Sequence, residues 1–155
     1  MANWIVNIII IIISFVGMEG VAWLAHKYIM HGLLWSLHKD HHQPNANAKL
    51  ERNDSFFIIF ATPAIICFAI GYDDFSVPFW MAIGITLYGA AYFFIHDLFI
   101  HQRIKVLRNA NATYFRAIRK AHKVHHKHLG KEDGECFGML WAPLKYFKEV
   151  RRNAS

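Results

Sequence analysis

WIVNIIIIIISFVGMEGVAWLAHKYIMHG, residues 4–32, decides the fold. Trp4 to Ala25 is apolar apart from Asn7, Ser14 and Glu19, and six isoleucines stand in a row at Ile8–Ile13. About 20 such residues let a helix cross the hydrocarbon of a bilayer. The block runs directly into His26 and His31, so a span ends where histidine chemistry begins.

Two further blocks behave in the same way. Phe56–Tyr72 and Pro78–Ile95 carry no charged residue. The chain has 155 residues, 55% of them hydrophobic and 15% aromatic, which is more than a soluble domain of this length buries. The mean hydropathy of +0.20 coexists with 17 Lys and Arg, because the basic residues are segregated. Residues 1–26 and 53–102 contain none of them; all lie in 27–52 and 103–152. The reading is therefore three spans, at about 4–25, 56–72 and 78–95. A helical hairpin turns at Asp73-Asp74, and every basic residue lies on one face, as the positive-inside rule requires. That face is expected to be the cytosolic side of the inner membrane and to hold the C-terminus. No basic region precedes Trp4 and no small-x-small site precedes the histidines, so the first block is expected to stay as an anchor.

Ten of the eleven histidines fall into one pattern that occurs twice. His26-x4-His31 is followed by His38-x2-His41-His42, and His96-x4-His101 by His122-x2-His125-His126; His128 stands outside. A lone histidine is more often a surface or satisfied core residue than a ligand, and a His-rich tract binds metal only loosely. An ordered spacing that recurs across about a hundred residues is neither. Neutral imidazole is a strong ligand for first-row transition metals. Two matched sets suffice for two ions, with each half of the chain supplying one set. On a helix, residues i, i+3 and i+4 share a face, so each triplet is expected to address one centre. The members of each x4 pair lie about 140° apart on a helix of 3.6 residues per turn, so either the helix ends or bends between them or they reach different metals.

Three carboxylates are candidates for holding the imidazoles: Asp40 between His38 and His41, Asp97 beside His96, and Glu19, which lies deep in the first span. Glu19 is seven residues before His26, about 10 Å of helix rise, so a place in the cavity fits it better than contact with that ring. Aromatics of the third span (Phe79, Trp80, Tyr88, Tyr92, Phe93, Phe94), with Tyr88, Tyr92 and Phe93 foremost, are candidates for lining a substrate tunnel. Cys67 and Cys136 fall at different depths, so no disulfide is expected. The pI near 9.4 does not point to nucleic acid, since the basic residues flank spans and suit anionic lipid. Ala112–Lys127 reads as a helix, residues 128–136 as a loop, and Phe137–Phe147 as an interfacial segment too short to span.

The arrangement HX4H, HX2HH, HX4H, HX2HH resembles the integral-membrane fatty acid hydroxylase superfamily, and within it the bacterial beta-carotene 3-hydroxylase branch. The stretches that carry the resemblance are His26-Lys-Tyr-Ile-Met-His31-Gly32, His38-Lys-Asp-His41-His42, His96-Asp-Leu-Phe-Ile-His101-Gln-Arg103 and Ala121-His122-Lys-Val-His125-His126. The Gly130-Lys-Glu segment and the Phe137–Pro143 segment match too, so most of the chain is covered. The resemblance implies an all-α integral membrane protein, one domain over 1–155. Three to four transmembrane helices would lie under a cytosolic, histidine-rich helical cap holding a dimetal centre. It implies a non-haem diiron monooxygenase with two Fe ions bound by the ten motif histidines, zinc being a possible substitute after purification. O2 would be the co-substrate and a ferredoxin or similar protein the electron donor. The substrate implied is a carotenoid, hydroxylated at C3 of its beta-ionone ring. The chain has no dinucleotide-binding glycine loop and no CxxC cluster, so electrons must arrive from another protein. The basic residues Lys105, Arg108, Arg116, Arg119, Lys120, Lys123 and Lys127 face either an acidic carrier or anionic lipid. Histidine spacing alone leaves open a ketolase, desaturase or lipid hydroxylase on the same core, and a non-catalytic metal transporter or store.

Overall fold

A computed structural model describes residues 3–44, 48, 50–105, 107 and 109–153; Arg108 of the basic face lies outside them. Among the described residues, three helices are long and apolar enough to cross a membrane: Trp4–Leu33, Arg52–Gly71 and Val77–Ile100. They coincide with the three apolar blocks, but the first and third run on past them and carry their first histidines with them.

α1 (Trp4–Leu24) continues without a break as a π-helix, Ala25–Leu33, and the chain kinks only at Gly32 (φ −118°, ψ −105°). The short helix α2 (Trp35–His42) follows. A single 3₁₀ turn, Arg52–Asp54, leads into α3 (Ser55–Gly71). α3 contains Pro63, and the adjacent Thr62 hydroxyl donates to the Ile58 carbonyl at 2.8 Å. α4 (Val77–Phe93) starts with Pro78 in its first turn, where the missing N–H is not needed. It too continues as a π-helix, Phe94–Ile100.

α4 is the middle of the bundle, packed against both α1 and α3. α1 and α4 approach closely at Gly84, where an added Cβ would stand 2.5 Å from the Ile11 carbonyl oxygen and 2.7 Å from Ser14 Cβ. The outer faces present Ile13, Val16, Phe57, Ile65, Ile70 and Leu87, all exposed. A contiguous apolar surface of this extent belongs to a partner phase, and along three span-length helices that phase is lipid.

Beyond the spans lies a helical cap. α5 (Thr113–His125) buries Ala117, Ile118, Ala121, His122 and His125 on one face. α6 (Leu144–Arg152) buries Tyr146 and Val150 against it, and Lys120 of α5 pairs with Glu149 of α6 at 2.5 Å. Ile95 and Phe99, at the end of the third span, complete this core with Met139 and Ala142. Cys67 and Cys136 are both free.

Candidate metal centre

All ten motif histidines converge where the helix ends meet the cap, and nine of them form two groups. His26, His31, His38, His42 and His125 bring one ring nitrogen each within 4.8 Å of one another; His41, His96, His101 and His122 do the same. The halves are crossed. His41 leaves the first set for the second group, and His125 leaves the second set for the first. Residues i and i+4 of a helix are about 40° apart, but i+3 falls on the other side of i, about 60° away. The α2 triplet therefore straddles two centres, and so does the α5 triplet, where its sequence spacing suggested that each addressed one. The tenth histidine, His126, lies between the groups. Its ring stacks on His42 at 4.5 Å and 16°, and stands 4.5 Å from the His122 ring.

The x4 pairs converge because the helix widens. Both lie in π-helical stretches, and the second pair is closed by the His101 N–H donating to the His96 carbonyl at 2.9 Å. A hydrogen bond from i+5 to i places those two residues on one side, which an α-helix does not. The helix therefore neither ends nor bends between the two histidines of a pair, as the spacing had suggested; the Gly32 kink comes after His31.

Seven of these imidazoles spend Nδ1 on an acceptor. His26 donates to the Phe137 carbonyl (2.9 Å), His31 to Lys131 (3.2 Å), His42 to His128 (2.8 Å) and His125 to Glu135 (2.8 Å). His38 donates to Asn53 Oδ1 (2.7 Å), His41 to Glu51 Oε2 (2.7 Å) and His96 to Asp97 Oδ2 (3.2 Å). An oxygen that can only accept requires the proton on Nδ1, so Nε2 of a neutral ring carries a bare lone pair.

Those lone pairs face one another. The Nε2–Nε2 separations are 3.1 Å for His26–His38, 3.2 Å for His38–His42 and 3.2 Å for His31–His125. In the other group it is 3.0 Å for His41–His96; His101 and His122, which are not among those seven, stand 2.8 Å apart through Nε2. Imidazolium does not resolve the conflict, because burial opposes charge. Desolvation, with neighbouring histidines adding to it, takes His42 down to about 4, His38 and His101 to about 3 and His125 to about 2. The same cause holds His41, His122 and His126 well below their ordinary value. Two nitrogens bound at right angles to one ion, each at about 2.1 Å, stand about 3.0 Å apart. The observed spacing is that of neighbouring ligands on a shared cation. Among the described residues, His122 Nδ1 and His126 Nε2 are buried without a hydrogen-bond partner, a further sign of a polar site built for an ion.

The carboxylates divide. Asp97 bonds His96 directly and receives Arg103 Nε at 3.0 Å. Asp40 bonds no histidine; it accepts the backbone N–H groups of Arg52 (2.5 Å) and Asn53 (3.4 Å), fixing the turn whose side chains hold His38 and His41. Glu19 does not hold the His26 ring. It accepts the N–H groups of Met139 (2.9 Å), Leu140 (3.0 Å) and Trp141 (3.0 Å), and the Tyr88 hydroxyl at 2.7 Å.

Glu51, Asn53 and Arg103 were not read from the sequence. The only cue was an acidic pair, Glu51 and Asp54, set as a capping box ahead of the second span. Arg103 ties this layer together, reaching Glu51 at 3.1 Å, Asp54 at 2.7 Å and Asp97 at 3.0 Å. It thus links the acceptor of His41 to the acceptor of His96. Losing such a supporting partner typically costs about 10–100-fold in metal affinity. Arg103→Ala is expected to weaken metal binding by that factor at the group that contains His41 and His96, measured by chelator competition, and to leave binding at the other group close to its original affinity.

Of the tunnel candidates, Tyr88 is buried beside Glu19, and the Tyr92 ring lies 5.1 Å from the His96 ring. Phe93 and Phe94 turn outward and are exposed. Phe79 belongs to an aromatic cluster with Phe68 and Phe75 at the hairpin, and Trp80 donates to the Phe75 carbonyl there. Residues 88 and 92 share a face at i, i+4, whereas 93 lies about 100° from 92.

Comparison with known proteins follows this geometry. The fatty acid hydroxylase family matches residues 11–144. The beta-carotene hydroxylase of Pantoea ananas is 39% identical over 140 residues, covering 90% of this chain and 79% of that one. The beta-carotene hydroxylase of Paracoccus sp. (strain PC1) is 38% identical over 136 residues, 87% of this chain and 83% of that one. The chloroplastic beta-carotene hydroxylase 1 of Capsicum annuum is 39% identical over 139 residues, 87% of this chain and 43% of that longer one. No solved structure matches. The matched region takes in all ten motif histidines and most of the three candidate spans, and on that ground the chain belongs to the fatty acid hydroxylase family.

Proposed function

We propose that this chain is a one-domain carotenoid hydroxylase that places a hydroxyl at C3 of the beta-ionone ring, taking beta-carotene to beta-cryptoxanthin and then zeaxanthin. The overall change inserts one oxygen atom of O2 into a C–H bond and reduces the other to water, with two electrons and two protons. The observation that carries this reading is the position of the facing Nε2 lone pairs: they collect at the ends of three lipid-facing helices, where a lipid-dissolved ring can reach them. The names of the bacterial relatives give the substrate class.

Two iron ions held by the ten motif histidines would supply the redox chemistry for O2, which zinc lacks. The protein's own part is to keep the imidazoles neutral by burial and oriented by their Nδ1–H bonds. Tyr88 and Tyr92 would wall the site on the membrane side and exclude water. Both histidine sets and the C-terminus would face the cytosol across the inner membrane, with Asp73 and Asp74 opposite. Arg116, Arg119, Lys120, Lys123 and Lys127 line a cleft of about 440 Å³ on the outer side of α5, whose inner side carries His122 and His125. An acidic electron carrier such as a ferredoxin would meet that face.

Product analysis of a beta-carotene-producing host that expresses the chain tests the reading. Ring-hydroxylated products are expected. Ketones or additional double bonds would assign a different outcome to the same core, and unchanged beta-carotene in iron-replete, aerated cells would overturn it.

A further inference from the structure

Irregular backbone at membrane depth is tolerated only where its polar groups are satisfied by protein. Residues 137–143 are irregular, and five of their backbone polar groups are bound by side chains. The N–H groups of Met139, Leu140 and Trp141 all point to the Glu19 carboxylate, at 2.9–3.0 Å. The Leu140 carbonyl accepts the Tyr114 hydroxyl at 2.8 Å, and the Phe137 carbonyl accepts His26 Nδ1 at 2.9 Å.

The depth follows from Glu19. It lies eight residues, about 12 Å of rise, on the membrane side of Lys27. The Lys27 ammonium sits over the rings of Trp23 (4.9 Å) and Tyr28 (5.2 Å), an arrangement suited to the interface. The second partner of Glu19, Tyr88, is also inside a span. Gly138 permits the approach, since a Cβ there would stand 2.9 Å from Glu19 Oε1 and 3.0 Å from the Trp141 carbonyl oxygen. Trp141, whose N–H bonds Glu19 of α1, is nevertheless 74% exposed, and Leu144 is 69% exposed.

We infer that residues 137–143 form a re-entrant loop at hydrocarbon depth, packed on protein through the buried Phe137, Met139 and Ala142 and pinned there by the Glu19 carboxylate, with Trp141 and Leu144 turned to the acyl chains. The loop joins the lipid phase to the first histidine group, because the carbonyl that fixes His26 belongs to it. This inference does not depend on which reaction the centre performs.

Spin labelling of the full-length chain in lipid nanodiscs tests it, in a background with Cys67 and Cys136 replaced by Ser. Trp141→Cys is compared with Ile65→Cys as the lipid reference and Glu132→Cys as the aqueous one. Relaxation by dissolved oxygen, which enriches in hydrocarbon, is compared with relaxation by a water-soluble nickel chelate. The label at 141 is expected to give an oxygen-to-nickel ratio several-fold above that at 132 and near that at 65. A ratio equal to that at 132 overturns the insertion. Adding Glu19→Ala is expected to move the label at 141 to the aqueous value, while Glu19→Gln, which keeps an acceptor oxygen for the three N–H groups, leaves it in lipid. If Glu19→Ala does not move the label, the carboxylate is not the anchor. If that variant fails to fold, the first comparison still decides the insertion, and Gly138→Ala, whose Cβ would stand 2.9 Å from Glu19 Oε1, decides the anchor: the label at 141 is expected to shift toward the aqueous value, and a label that stays at the lipid value overturns it.

Discussion

His125→Ala is expected to abolish hydroxylation and strip metal from the centre, while His128→Ala keeps most of the activity. His125 is fully buried, with Nε2 3.2 Å from His31 Nε2 and Nδ1 donating to the Glu135 carbonyl at 2.8 Å. Its removal takes away a ligand and orphans a carbonyl. Loss of an orienting partner alone costs about 10–100-fold, so loss of the ligand should exceed about a hundredfold. The His128 ring belongs to neither group; its backbone carbonyl accepts His42 Nδ1 at 2.8 Å and its backbone N–H donates to the His125 carbonyl at 3.2 Å. Alanine retains both backbone groups. Product formation in the host and bound metal in the purified variants check both halves. Equal losses in the two variants would mean that the ligands have been assigned wrongly.

The second large effect is on the metal-free protein. Burial holds His42 at about 4 and His38 and His101 at about 3, against about 6.5 in an unfolded chain. As the pH falls below 6.5 the unfolded chain takes up protons first. The stability tied to these neutral rings is therefore complete above 6.5 and is lost on the way down to 4 and 3. Between pH 7.5 and 5 the Tm of the chelated protein is expected to drop by about 10 °C or more. At pH 7.5, restoring the metal should raise it, because the ion binds only the folded arrangement. A Tm that stays level from pH 7.5 to 5 would show that the rings are not held neutral by the fold.

The spans were legible because membrane depth demands uninterrupted apolar runs, and Trp4–Ala25 satisfies that demand on its face. The histidines were legible because ligand chemistry restricts residue type and a recurring spacing restricts placement. Three things were not. The crossing of His41 and His125 depends on where two helices sit relative to two centres, which a one-dimensional spacing does not record. The widening at His26–His31 and His96–His101 is a backbone change with no residue signature; the x4 spacing announced a problem and not its solution. The acceptors for His26, His31, His42 and His125 are main-chain carbonyls, which every residue has. Glu19 was visible as an anomaly in a span, but its partners are N–H groups some 120 residues away.

The exchange of one histidine between the two halves has a consequence for biosynthesis. A nascent chain released from the ribosome through about residue 120 has all three spans available for insertion, yet neither group is closed: one still lacks His125 and the other His122. Each group thus gains its last imidazole only once α5 is made, and a metal held by either would tie the earliest helices of the chain to a late one.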